Sequence, residues 1–244
     1  MPGYQEQVVA FIDVLGFSEL VNASDTNQAA QAKIRKLIGT DEFYVSFMKY
    51  LYLTTLTFFS DSFVISMMPP DRIFYMVREV GHLCRHLLML GLPCRGAITV
   101  GSLYHHKQIV VGPAFVNAHR LEQTVAIYPR VILDDAAMSY WKYEFRTDEL
   151  SGRSAHPHLE NLVKRDNDGQ HFIDIFNPNF GTDFMPPTDI IPSPDVVPTD
   201  ANEFLKEADK HIQAGIEANK YNLKVRAKYE WLATECRERA ALLS

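Results

Sequence analysis

The stretch that most constrains this chain is Val8-Val9-Ala10-Phe11-Ile12-Asp13-Val14-Leu15-Gly16-Phe17-Ser18. An uninterrupted apolar run rich in β-branched residues reads as a strand buried on both faces, which requires a sheet with cover above and below. The run stops on one acid, Asp13, and breaks at Gly16. From Ser18 to about Ile38 the spacing turns helical, with Asn22, Ser24 and Asp25 offering a break and a fresh N-cap. A buried strand that ends in a carboxylate and a glycine turn has something to hold at its tip.

The remaining order follows from turn signals and periodicity. Residues 43–53 suit either a helix or a strand, whereas 54–67 are richer in Thr, Phe, Val and Ile, with Ser60-Asp61 at a hairpin turn. Asp71 is expected to cap a helix running to about Leu90. Strands are expected at 94–104, 108–112 and 130–135, and a helix from Pro113 to about Gln123, Pro being suited to a first turn. Asn167-Asp168-Gly169 marks a hairpin within 162–176. Residues 177–200 form a proline-rich connector, and 201–244 a helical extension with the basic cluster Lys220, Lys224, Arg226 and Lys228. The implied order βααββαββαβ fits an α+β, ferredoxin-like mixed sheet with helices on one face. On this division residues 1–135 form a core, and 136–176 an accessory strand and hairpin region that completes it.

Composition excludes several classes. A formal net charge of -6 leaves no footprint for nucleic acid, and no apolar run is long enough to span a membrane. Three scattered cysteines argue against a disulfide framework or a zinc site and point to a reducing cytoplasm.

Two acids stand out because each closes an apolar strand: Asp13 after VVAFI, and Asp61 within TLTFFSDSFVIS. Converging at one edge of a sheet, two carboxylates call for a hard divalent cation such as Mg2+ or Mn2+. The turn Val14 to Ser18, at a helix start, offers backbone N–H groups to phosphate. The alternative is that both acids are strand-end or turn residues. Asn117 and Arg120 lie three apart on one helical face, where the arginine suits charge growing on phosphate oxygens; pairing with Glu122 is its bland alternative. His105-His106 at a hairpin reads as a solvated pair.

Together these residues resemble the class III nucleotidyl cyclases, the family of adenylate and guanylate cyclase catalytic domains, over roughly residues 8–135. The motif from Phe11 to Phe17, the hairpin acid Asp61, the strand Arg95-Gly96 to Gly101 and the helical stretch Val116 to Glu122 are similar to that family's four motifs in order. The resemblance implies the class III cyclase fold, with Asp13, Asp61 and the Val14 carbonyl holding two Mn2+ or Mg2+ ions. It further implies that the ribose 3′-hydroxyl attacks the α-phosphorus of a nucleoside triphosphate, that Arg120, with Asn117, steadies the transferring phosphate, and that Lys164 or Lys228 reaches the triphosphate. It also implies a homodimer whose sites lie at the interface, with Arg120 serving the partner's substrate.

The departures concern the asparagine, whose family position falls on Val116 with Asn117 one residue late, and the base. The family's two purine-reading positions fall on Thr57 and Ile109, one too short and uncharged, the other apolar. Tyr50, Tyr52, Phe58 and Phe59 supply bulk suited to a smaller ring, with a packed core as the other role for either tyrosine. Gly16, Phe17, Ser18, Tyr50, Thr57, Ile109 and Lys164 are accordingly the expected substrate contacts. This pattern looks like the pyrimidine cyclases of Pycsar antiphage systems. That resemblance implies a uridylate cyclase making cyclic UMP from UTP, or a cytidylate cyclase using CTP, whose messenger acts on a separate effector. A purine cyclase and an inactive nucleotide-binding homologue remain the other readings.

Overall fold

A computed structural model describes residues 3–38, 54–150, 160–181, 197–198 and 200–243. Its centre is β1 (Gln5–Val14), antiparallel to β3 (Ser62–Met67) on one side and to β4 (Cys94–His106) on the other. The sheet is completed by β2 (Thr54–Phe59), β5 (Ile109–Val111), β6 (Val131–Leu133), β7 (Val163–Arg165) and β8 (His171–Ile173). Its order is β2-β3-β1-β4-β6-β8-β7, with β5 paired to β4. The β4–β6 pairing is parallel and makes the sheet mixed. The helices are α1 (Phe17–Ser24), α2 (28–38), α3 (Ile73–Met89), α4 (Pro113–Thr124), α5 (Asp135–Leu150), α6 (Ala201–Ala218) and α7 (Leu223–Leu243).

Alternation along β1 explains the layers. Val8, Ala10, Ile12 and Val14 meet Val80, Leu83 and Leu87 of α3 and Trp141 of α5. Val9 and Phe11 project the opposite way, against Ala114 and Ala118 of α4. Both faces of the strand are therefore covered, as its unbroken apolar run demands. One face carries the expected helical layer; α4 covers part of the other. The extension is held on by a third cluster, in which Phe204, Leu205, Ala208 and Ile212 of α6 and Leu232 of α7 pack on Leu88, Met89 and Phe176. A buried arginine reinforces it: Arg85 Nη1 donates to the carbonyls of Ile175 (3.2 Å) and Asn177 (3.3 Å), and its guanidinium lies 3.5 Å from the Phe204 ring centre.

Several local expectations change. Asp71 does not cap α3. It lies in a short 3-10 turn, Pro70–Arg72, and the helix begins at Ile73, where the Phe74 N–H finds Glu144 Oε2 of α5 at 2.8 Å instead. Residues 136–150, read as part of an accessory strand and hairpin region, belong to the helix α5, which opens at Asp135. The hairpin at 167–169 forms as expected, joining β7 to β8. His105 is not solvated; it is buried in a polar network described below. Asp200 caps α6 by accepting from the Glu203 N–H.

Candidate functional site

Asp13 shares the parity of Val9 and Phe11 but lies beyond the apolar contacts of α4 and is part-exposed. Its register partners are Ser62 on β3 and Arg95 on β4. Asp61 occupies the β2–β3 turn, reached through Ser60 at φ 56, and its carbonyl accepts from the Val14 N–H at 2.8 Å. That bond fixes the hairpin turn against the end of β1, so the two acids share one edge. Burial raises the Asp13 pKa, the nearby charge of Asp61 raises it further, and Arg95 opposes both. The two carboxylates repel in a part-desolvated place, which is the environment a divalent cation relieves. Among the described residues no set of three His, Cys, Asp or Glu gathers as a metal cage. Two carboxylates with adjacent backbone suit a hard ion that completes its shell with phosphate oxygens and water.

Charged groups surround the pair. Arg95 Nε stands 3.5 Å from Asp13 Oδ2, while its Nη2 lies 2.5 Å from Glu122 Oε1. Glu122 comes from the buried stripe of α4, after Ala114 and Ala118. Burial chiefly lifts its carboxyl to about 7, with Arg95 opposing and Asp13 adding. Lys228 of α7 joins this cluster: burial and the neighbouring Arg95 and Lys224 lower its pKa, and Asp13 and Glu122 raise it. Lys164 is placed elsewhere, with its ammonium on Glu235 and over the Phe172 ring. Of the two lysines considered from sequence, Lys228 is the one whose charge reaches the acids. From sequence Arg95 stands out only within a motif, and Glu122 only there and as a partner for Arg120. The signal for Glu122 was an acid at the i+8 position of an otherwise alanine stripe.

Gly16, at φ 77, turns the chain from β1 into α1 and leaves the helix start without a side-chain cap. The first-turn N–H groups near Phe17 and Ser18 therefore lack a capping side chain. Ser18 is exposed, whereas Phe17 packs partly against the core. On α4, Arg120 is exposed and its Nη2 donates to Asn117 Oδ1 at 2.8 Å. Asn117 Nδ2 in turn donates to Thr99 Oγ1 and Asp134 Oδ2, both at 3.1 Å, which pins the amide and leaves the guanidinium at the surface. Arg120 does not pair with Glu122; Arg95 takes that partner.

Thr57 is buried, and its hydroxyl donates to the Lys107 carbonyl at 2.8 Å. Its 2.9 Å contact with His105 Nε2 therefore needs the ring to donate. Nδ1 is left to accept from Ser66 Oγ at 2.8 Å. Burial lowers the His105 pKa to about 4, so the ring is neutral. Thr57 thus ties β2 to the β4–β5 turn and presents no free hydroxyl. Ile109 on β5 is 56% exposed. Tyr50 and Tyr52 lie outside the described residues.

No family model matches the chain, and no curated protein matches its sequence. Among solved structures, the adenylyl cyclase CyaB from P. aeruginosa superposes with a TM-score of 0.48 at 16% identity, covering 70% of this chain and 93% of that one. The guanylate cyclase domain of RhGC from Catenaria anguillulae, in complex with GTP, gives 0.46 at 14% identity over 71% and 98%. The monomeric guanylyl cyclase domain of the RhoGC fusion protein from Blastocladiella emersonii gives 0.46 at 14% over 70% and 95%. Superpositions this loose leave function to be judged on this chain's own residues.

Proposed function

We propose that this chain is a nucleotidyl cyclase that converts UTP to 3′,5′-cyclic UMP and pyrophosphate, with CTP as the alternative substrate. The observation that carries the reading is the junction of β1 with the β2–β3 turn, where Asp13 and Asp61 share one edge through the Val14–Asp61 backbone bond. Asp13, Asp61 and the backbone of Val14 would hold the divalent ions. Bound there, Mg2+ or Mn2+ supplies Lewis acidity to the ribose 3′-hydroxyl and screens the triphosphate. The uncapped start of α1 and Lys228 would receive phosphate oxygens, with Gly16 allowing close backbone approach. Arg120, exposed and oriented by Asn117, is available to a substrate held by a second copy, which supports a homodimer with shared sites.

The base preference is supported by what the two purine-reading positions do. Thr57 spends its hydroxyl on Lys107 and His105, and Ile109 has no hydrogen-bonding side chain. A site without partners for a purine edge forfeits the discrimination that such bonds supply. The proposed role, a second messenger read by a separate effector in antiphage defence, follows from the pyrimidine-cyclase resemblance. Among the described residues no helix is long and apolar enough to cross a membrane.

The test is turnover of UTP, CTP, ATP and GTP in parallel with Mn2+, following cyclic nucleotide and pyrophosphate. UTP or CTP should be cyclised in preference to the purines, and Asp13→Asn or Asp61→Asn should abolish the reaction. Preferred turnover of ATP or GTP refutes the pyrimidine assignment, and full activity in either variant refutes the site.

A further inference from the structure

Arg95 stands between two acids that are not equivalent. Its contact with Asp13, at 3.5 Å through Nε, is at the limit of a hydrogen bond, whereas Nη2 lies 2.5 Å from Glu122. Glu122 is fixed, being buried on α4, and its Oε1 receives no aligned hydrogen bond despite that short approach. Of its two acidic neighbours the guanidinium therefore already belongs to Glu122 more than to Asp13. The arginine is a long, part-exposed side chain on β4 directly across from Asp13, so it can turn while the backbone stays paired. Lys228, with Lys224 behind it, faces the same acids from α7.

We infer that Glu122 holds the Arg95 guanidinium off Asp13, so that Glu122 sets the affinity of Asp13 for a divalent cation without touching the cation. The inference rests on the reading of Asp13 and Asp61 as metal ligands. A guanidinium turned onto Asp13 would compete with a cation for the same oxygens, and the short contact with Glu122 draws it aside. Glu122 is thus a positioning residue, acting through Arg95.

The test is Mn2+ binding by the full chain without nucleotide, read from the paramagnetic resonance of free Mn2+. Glu122→Gln should free Arg95 to close on Asp13 and weaken binding roughly tenfold, the scale on which outer residues act on metal sites. Glu122→Asp keeps the charge but withdraws it by one methylene, and should weaken binding comparably. Arg95→Met removes the competitor and should tighten binding, and the double variant Arg95→Met with Glu122→Asp should bind at least as well as the wild type. Wild-type affinity in Glu122→Asp would mean that charge alone matters and overturns the inference, as does unchanged affinity in Arg95→Met. Should the Glu122 variants fail to fold, Arg95→Met decides alone. Asp13→Asn separates the two claims: undiminished Mn2+ binding there removes the metal reading, whereas lost binding alongside wild-type affinity in Glu122→Asp removes only the role of Glu122.

Discussion

Gly96 offers the sharpest test of how the fold positions the acids. A Cβ there would lie 2.2 Å from the Phe11 carbonyl oxygen and 2.8 Å from Ile12 Cδ1. The first approach is about 1.2 Å inside the 3.4 Å at which ordinary contact begins, and it is made to backbone, which cannot rotate away. Gly96 is paired with Ile12, and the next pair along is Asp13 with Arg95. Gly96→Ala must therefore part β1 from β4 by about an ångström beside the acid, while the Val14–Asp61 bond holds the hairpin to β1. Overpacking of this kind costs about 1–3 kcal/mol. A misplacement on the order of 1 Å costs about 100-fold in turnover where reacting groups must align. Under the proposed function the assay is initial-rate cyclic UMP formation with Mn2+ at saturating UTP, paired with calorimetry to show that the variant is folded at the assay temperature. The expected result is a folded protein with turnover reduced about 100-fold. A folded variant with turnover within a few-fold of wild type would refute the idea that β1–β4 spacing sets the site.

Arg85→Met should lower stability by about 2–4 kcal/mol, since two buried carbonyls lose their donor and Phe204 its cation, partly offset by relief of a buried charge; an unchanged urea midpoint refutes the tether between α3 and α6. His105 carries a folded pKa of about 4 against about 6.5 when unfolded, so its contribution is full above about pH 6.5 and is lost as pH falls toward 4. His105→Gln should remove that loss, changing the stability difference from wild type by up to about 1.4 kcal/mol per pH unit in that window, as urea titrations would register; parallel profiles refute the buried neutral ring. Lys228→Ala should raise KM for the triphosphate roughly tenfold with kcat little changed, the pattern of lost uniform binding; unaltered UTP kinetics refute a phosphate role for α7.

Much of the fold was legible because its signals are local. The apolar run of β1, the Ser60-Asp61 turn and the helix opened by Pro113 each announce themselves within a dozen residues, and the structure has them in place. What sequence misses is set by partners far along the chain. Asp71 looks like a cap until Glu144 of α5 takes the free N–H. His105 looks solvated until Thr57 and Ser66 close on it. Lys164 and Lys228 look alike as basic residues, and only the packing of Trp231 against Tyr128 and Phe172 brings the second, one helical turn away, toward Asp13. The 135–150 helix was missed because its pattern is weakly amphipathic and its charges obscure a buried face.

The position of the site follows from strand parity. The rule that sends Val9 and Phe11 toward α4 sends Asp13 the same way, together with its register partners Ser62 and Arg95. Over Val9 and Phe11 that face is closed by Ala114 and Ala118, small enough to let the helix lie near the sheet. One further step along the same stripe the helix presents Glu122 rather than another alanine, and the strand opposite presents Arg95 rather than an apolar residue. The apolar packing thus ends where the charged cluster begins, on one strand and one helix. A single residue of slip in β1 would exchange Asp13 for a neighbouring apolar residue on this face and drive the carboxylate into the core that Ile12 and Val14 now fill. The unbroken hydrophobic run therefore fixes where the acid must emerge: it locks the register, and the register places Asp13 beside Arg95 and the Asp61 turn.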